Sequence, residues 1–152
     1  MFTHAEKSEW FETYWAVDLH GTIIKPSYKG TEMTYYPYAK ETMKLLSERK
    51  DIKLILWTSS FPNEIEEYVN NMKTDGILFD SINENPGVSS KNGSFGYYED
   101  KFYFNVLFDD KSGFDAERDW KSIYKYFKKT KYRPNSNWSF KVMESYHSKN
   151  PK

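Results

Sequence analysis

The chain has 152 residues, 38% of them apolar and 19% aromatic, so the 13 Tyr, 11 Phe and 5 Trp must supply much of the buried surface of a single domain. It has no cysteine, which excludes a disulfide scaffold, a thiolate metal site and a Cys nucleophile, and it has no apolar run of the roughly 18 residues that a membrane span needs. The 22 basic and 22 acidic side chains cancel, yet residues 121–152 hold nine Lys or Arg against one acid, Glu144, a net +8 that leaves −8 on residues 1–120.

Thr13-Tyr14-Trp15-Ala16-Val17 is rich in β-formers and predicts a first strand, which Asp18-Leu19-His20-Gly21-Thr22 ends in a turn. Pro37 suits the start of a helix, in which Ala39, Met43 and Leu46 recur at i, i+4 and i+7. Lys53-Leu54-Ile55-Leu56-Trp57 predicts a buried parallel strand that ends at Thr58-Ser59-Ser60. Pro62 opens a second helix, with Ile65, Tyr68, Val69 and Met72 on one stripe and Asp75-Gly76 at its end. Ile77-Leu78-Phe79 predicts a third strand. Residues 83–100, rich in Asn, Gly, Ser and Pro, predict a loop or small hairpin. Phe102 to Phe108 predicts a fourth strand, ending at Asp109-Asp110. Asp115 is placed to cap a last helix with Ala116, Trp120, Ile123, Tyr124 and Phe127 on its buried stripe, up to Pro134. Trp138 to Met143 has the composition of a short edge strand. The basic end is expected to be a solvated helix face and tail before it is a grip for nucleic acid.

Alternating strands and helices predict an α/β fold: a three-layer, Rossmann-like parallel sheet with helices on both faces. The domain is expected over residues 1–133, with a basic extension at 134–152. Functional groups of such sheets gather at the carboxyl ends of the strands, and three of the four predicted strands end in polar clusters: Asp18, Thr58 and Asp109-Asp110.

The chemistry follows from residue type. A carboxylate at a strand end, followed by the Gly21-Thr22 turn, faces backbone N–H groups suited to phosphate, and a carboxylate can itself attack phosphorus. Three acids at one edge repel each other unless a hard dication such as Mg²⁺ compensates. A strand-end Thr58 offers a hydroxyl and an N–H to a phosphoryl oxygen. A lysine is still needed against the phosphoryl charge, and either Lys101 or Lys91 is placed to reach back over the site.

This ordered set resembles the haloacid dehalogenase (HAD) superfamily of phosphohydrolases. Val17-Asp18-Leu19-His20-Gly21-Thr22 is similar to its first motif, D-x-D-G-T; Leu54-Ile55-Leu56-Trp57-Thr58 to its second; Lys101 to the lone Lys of its third; and Val106-Leu107-Phe108-Asp109-Asp110 to its paired acids. The resemblance spans residues 13–120. It implies a Mg²⁺-dependent phosphomonoesterase with Asp18 as nucleophile and Asp18, the His20 carbonyl, Asp109 and Asp110 as metal ligands. Gly21, Thr22, Thr58, Ser59 and Lys101 would bind the phosphoryl group. His20 departs from the family pattern, which has a second Asp there as general acid and base; a histidine can serve both roles near neutral pH.

Only 35 residues separate Thr22 from Thr58, too few for a lid domain beside the helix and strand between them, so little or no cap is expected. In the superfamily, members without a large cap often act on bulky substrates or take a partner subunit as lid, which makes a homo-oligomer a partner to consider. Tyr28, Tyr35, Tyr36, Tyr38, Phe95, Tyr97 and Tyr98 are expected as core or interface rings before they are entrance rings that stack on a base. Two alternatives stand beside the phosphatase: a binding protein on the same fold whose turnover was lost with His20, and a nucleic-acid end-processing phosphatase. Met1 to Lys7 has no apolar leader segment, and a cytoplasmic protein without a membrane partner is expected.

Overall fold

β-Branched and aromatic residues make Thr13–Asp18 the first strand, β1, of a computed structural model that describes residues 7, 8, 10, 12–27, 29–85 and 101–129. There follow α1 (Ala39–Ser47), β2 (Ile52–Trp57), α2 (Pro62–Thr74), β3 (Ser81–Ile82), β4 (Val106–Phe108), a single 3₁₀ turn (Asp110–Ser112) and α3 (Asp119–Lys129). The strands form one sheet in the order β3-β2-β1-β4, and every pairing is parallel. β1 lies inside the sheet, and its Ala16 and Val17 are fully buried. That is why its sequence is an unbroken apolar run. The α/β, Rossmann-like fold is the expected one.

The two faces of the sheet are built differently. Trp15, Val17, Ile52, Leu54 and Leu56 share one core with Met43 and Leu46 of α1, Tyr68 and Met72 of α2, and Trp120 and Phe127 of α3. The alternate residues Tyr14 and Ile55 instead pack with Phe102 and Tyr103. Among the described residues, then, all three helices serve one face, and an aromatic segment covers the other where a helix was expected. Connection handedness explains this. β1 to β2 to β3 steps steadily in one direction, so right-handed crossovers put α1 and α2 on the same face. The chain then steps back past β1 to reach β4, and Phe102 and Tyr103, just ahead of that strand, pack on the opposite face.

Two predicted strands shift. Ile77 is buried in the core, Leu78 is exposed, and strand pairing begins only near Asp80, whose N–H donates to the Leu54 carbonyl at 2.8 Å. The fourth strand shortens to Val106–Phe108 because side-chain amides replace the ladder ahead of it. Asn105 Oδ1 accepts from the Tyr14 N–H at 2.7 Å, and the Asn85 amide binds both the N–H and the carbonyl of Tyr103. The last helix begins at Asp119. Asp115 caps the turn before it, accepting from the Glu117 N–H at 3.2 Å.

Between Thr22 and Thr58 the chain is taken up by a bridged turn (Ile24 opposite Tyr35), α1 and β2, which leaves no room for a lid domain. The basic side chains Lys121, Lys125, Lys128 and Lys129 are exposed on α3. The extension at 134–152, with the edge strand expected from Trp138 to Met143, lies outside the described residues. No described helix is long and apolar enough to cross a membrane.

Candidate functional site

β1 delivers Asp18 to the carboxyl edge of the sheet, and the next residues fold into a turn locked by apolar burial. Leu19, Ile23 and Ile24 are fully buried, and the Leu19 carbonyl accepts from the N–H groups of Ile23 and Ile24 at 2.9 and 3.0 Å. Gly21 takes φ +84°, and a Cβ there would lie 2.9 Å from Asp110 Oδ2, so a glycine is needed for the acidic pair to come this close. Thr22 is fully buried and joins the two ends of the site. Its hydroxyl donates to Asp18 Oδ2 at 3.3 Å and accepts from the Asp110 N–H at 3.1 Å. Trp120 Nε1 donates to the Thr22 carbonyl at 2.7 Å and anchors the turn to α3.

Asp109 directly follows β4 and accepts from the Lys111 N–H at 2.8 Å, which opens the 3₁₀ turn and sends Asp110 back toward Gly21. One carboxylate oxygen each from Asp18, Asp109 and Asp110 fall within 4.8 Å of one another. Burial raises the Asp18 carboxyl above its usual range, and the negative charge of Asp109 adds to this; the N–H of Leu19, Lys111 and the Thr22 hydroxyl work against it. The Lys111 ammonium lies 3.5 Å from Asp110 Oδ1. Three oxygens of this kind, from acids whose mutual repulsion is only partly offset, are donors that suit a hard dication such as Mg²⁺.

The second strand end is organised by a chain of hydroxyls. The Thr58 N–H donates to Asn83 Oδ1 and the Thr58 carbonyl accepts from Asn83 Nδ2, both at 2.8 Å. The Ser60 N–H donates to Thr58 Oγ1 at 3.2 Å, and the two hydroxyls are 3.0 Å apart. Ser60 Oγ lies 3.4 Å from His20 Nδ1, and His20 Nε2 lies 3.1 Å from the Tyr68 hydroxyl of α2. The imidazole and the Tyr68 ring meet edge to face at 5.2 Å.

The fold thus gathers Asp18, Gly21, Thr22, Asp109 and Asp110 into one cluster, and ties Thr58 to His20 beside it. Ser59 is exposed; the hydroxyl in the network belongs to Ser60. Lys101 is exposed. Its neighbour Phe102 packs at 4.3 Å on Trp57, the register partner of Asp18. Lys91, Tyr28, Phe95, Tyr97 and Tyr98 lie outside the described residues. Of the remaining rings, Tyr35, which bonds Asp75 at 2.7 Å, and Tyr36 pack on the core as expected, whereas Tyr38 is exposed and meets Tyr124 at 5.4 Å. Sequence reasoning passed over Ser60, Tyr68, Asn83 and Lys111. Only Lys111 carried a signal, its place directly after the paired acids.

No family model matches the chain, and no curated protein matches it. A solved structure, described as that of the conserved protein coded by a locus from Bacteroides thetaiotaomicron, aligns with a TM-score of 0.57 at 27% sequence identity, covering 80% of this chain and 93% of that one. The likeness supports the α/β fold.

Proposed function

We propose that the chain is a Mg²⁺-dependent phosphohydrolase of HAD type that works through an aspartyl-phosphate on Asp18. The observation that carries this reading is the meeting of Asp18, Asp109 and Asp110 oxygens within 4.8 Å at the carboxyl edge of a parallel sheet. Those three side chains, with the His20 carbonyl, would hold Mg²⁺, which when bound supplies positive charge against the phosphoryl oxygens.

The remaining chemistry belongs to the chain. An Asp18 oxygen attacks phosphorus, the new O–P bond forming as the bond to the leaving oxygen breaks. Water then adds to phosphorus as the Asp18 O–P bond breaks, which restores the carboxylate and releases inorganic phosphate, the water's proton passing to the phosphate or to solvent. The Thr22 hydroxyl holds Asp18 Oδ2, which leaves the other oxygen for attack. Thr58, with Gly21, Ser59 and Lys101, is the proposed cradle for the phosphoryl group, and Lys111 adds a cation that the acidic cluster already attracts. His20 stands where the family carries its acid and base. A phosphorylated substrate is the proposed partner, and a second copy of the chain a proposed lid.

The test is hydrolysis of p-nitrophenyl phosphate with Mg²⁺. Activity should vanish on chelation and fall at least about a thousandfold in Asp18→Asn, as expected when a nucleophile is lost; equal rates in the two proteins end the proposal. A second reading, a binding protein with little turnover, is favoured by the engagement of both His20 nitrogens with protein hydroxyls. Under it, His20→Asp creates activity that the native chain lacks.

A further inference from the structure

We propose that His20 is a positioning residue that aims the Thr58 hydroxyl at the phosphoryl group, and that the substrates of this site are phosphates whose leaving group departs as an anion, such as aryl or acyl phosphates. The inference rests on the phosphohydrolase reading and concerns what the imidazole does within it.

Counting donors and acceptors leads there. A threonine hydroxyl has one proton and two acceptor positions. Thr58 Oγ1 accepts the Ser60 N–H at 3.2 Å and lies 3.0 Å from Ser60 Oγ. If Ser60 donates its hydroxyl proton to Thr58, both acceptor positions are filled and the Thr58 proton is free to point outward to an anion. If Thr58 donates to Ser60 instead, that donor is lost to the site. In the first arrangement Ser60 Oγ accepts from His20 Nδ1–H, across 3.4 Å, and the neutral ring's Nε2 accepts from the Tyr68 hydroxyl, across 3.1 Å. Tyr68 is only 2% exposed, and its hydroxyl faces Nε2 and can donate to it, as the proposed proton order has it. The proposed proton order then runs from Tyr68, a phenol that sequence reasoning assigned to the core alone, through His20 and Ser60 to Thr58.

The substrate class follows. With both ring nitrogens turned to Ser60 and Tyr68, the imidazole directs its N–H to protein and not to the departing oxygen. The bond from phosphorus to that oxygen breaks with its electron pair left on oxygen, and a phenolate or carboxylate leaves unprotonated. Alkyl phosphates, whose alkoxides need a proton, become poor substrates.

The test uses the full chain with Mg²⁺. Wild type should hydrolyse p-nitrophenyl phosphate more than about a hundredfold faster in kcat/KM than glycerol 1-phosphate; a smaller ratio overturns the proposal. His20→Asn puts an amide N–H near the place of Nδ1–H but cannot transfer a proton. It should lower kcat less than about tenfold, with KM carrying part of the loss, and a larger fall in kcat shows acid–base catalysis and overturns the proposal. Binding of inorganic phosphate to the Mg²⁺-loaded protein, measured by calorimetry, needs no turnover. It should weaken about three- to tenfold in Ser60→Ala and in Tyr68→Phe, with unaltered melting of the latter as the control for folding. Unchanged affinity in both variants overturns the proposal while leaving the phosphohydrolase reading intact. Equal hydrolysis by wild type and Asp18→Asn overturns that reading instead.

Discussion

Gly21 and Asp18 show how closely backbone and charge are matched in this site. At φ +84° an alanine is strained by about 1–2 kcal/mol before any contact is considered, and its methyl would press on Asp110 Oδ2 at 2.9 Å. Gly21→Ala should therefore weaken Mg²⁺ binding about tenfold or more by calorimetry and lower the melting temperature. Asp18 makes the opposite prediction. Its carboxyl is raised from 3.8 by burial and by Asp109, so the favourable contribution of its protonated form is complete below 3.8 and is lost as pH rises through the raised folded-state value. In metal-free protein at neutral pH, Asp18→Asn should raise the melting temperature, about 2–4 °C for each kcal/mol relieved, and the gain should shrink as pH falls toward 3.8. Added Mg²⁺ should reverse the order, stabilising wild type more than the variant. A melting temperature that Asp18→Asn leaves unchanged in metal-free protein contradicts the electrostatic account. Asp18, Thr58 and Asp109-Asp110 were legible in the sequence because an acid or hydroxyl at the end of an apolar strand has a place fixed by the fold. Ser60, Tyr68 and Asn83 were not, because their roles arise from turn geometry that no spacing rule encodes.

Elements hold the site through a few buried polar bonds. Trp120 of α3 is fully buried, and its indole N–H is the donor on the Thr22 carbonyl. Trp120→Phe removes that donor and opens space in the core, which should cost about 2–4 kcal/mol in denaturant melts and reduce Mg²⁺ affinity by loosening the turn. Asp75, at the end of α2, accepts from Lys40 and Tyr35 and ties the bridged turn to the helices. Its carboxyl is held below 3.8, first by the Lys40 hydrogen bond, against the opposing cost of burial. Its contribution is therefore present above 3.8 and is lost as pH falls through the lowered value. Asp75→Asn should cost about 1 kcal/mol at neutral pH, and the difference from wild type should fade only in strong acid. At this scale the helices were legible from their 3.6-residue stripes, whereas the short β3 and β4 were misjudged. Asn83, Asn85 and Asn105 lend side-chain amides where a strand would lend backbone, and asparagine in a loop-like composition hides that substitution.

For the molecule as a whole, strand order does most to make the site. Because β4 returns beside β1, its terminal acids meet Asp18; because β2 flanks β1 on the other side, Thr58 comes within reach of His20. The parallel sheet and the meeting of strand-end acids at its carboxyl edge could be anticipated from alternating strand and helix patterns, but the placement of all three described helices on one face could not, since it depends on strand order. The account stands on one spatial claim, that these acids share a dication with Asp18 aimed at phosphorus. The most direct measurement is a crystal structure of the protein soaked with Mg²⁺ and beryllium fluoride. The account predicts BeF₃⁻ bonded to an Asp18 oxygen, Mg²⁺ between Asp18 and the Asp109-Asp110 pair, and the Thr58 hydroxyl on a fluorine. Fluoride density away from Asp18, or a cluster that binds no metal at millimolar Mg²⁺, would contradict it.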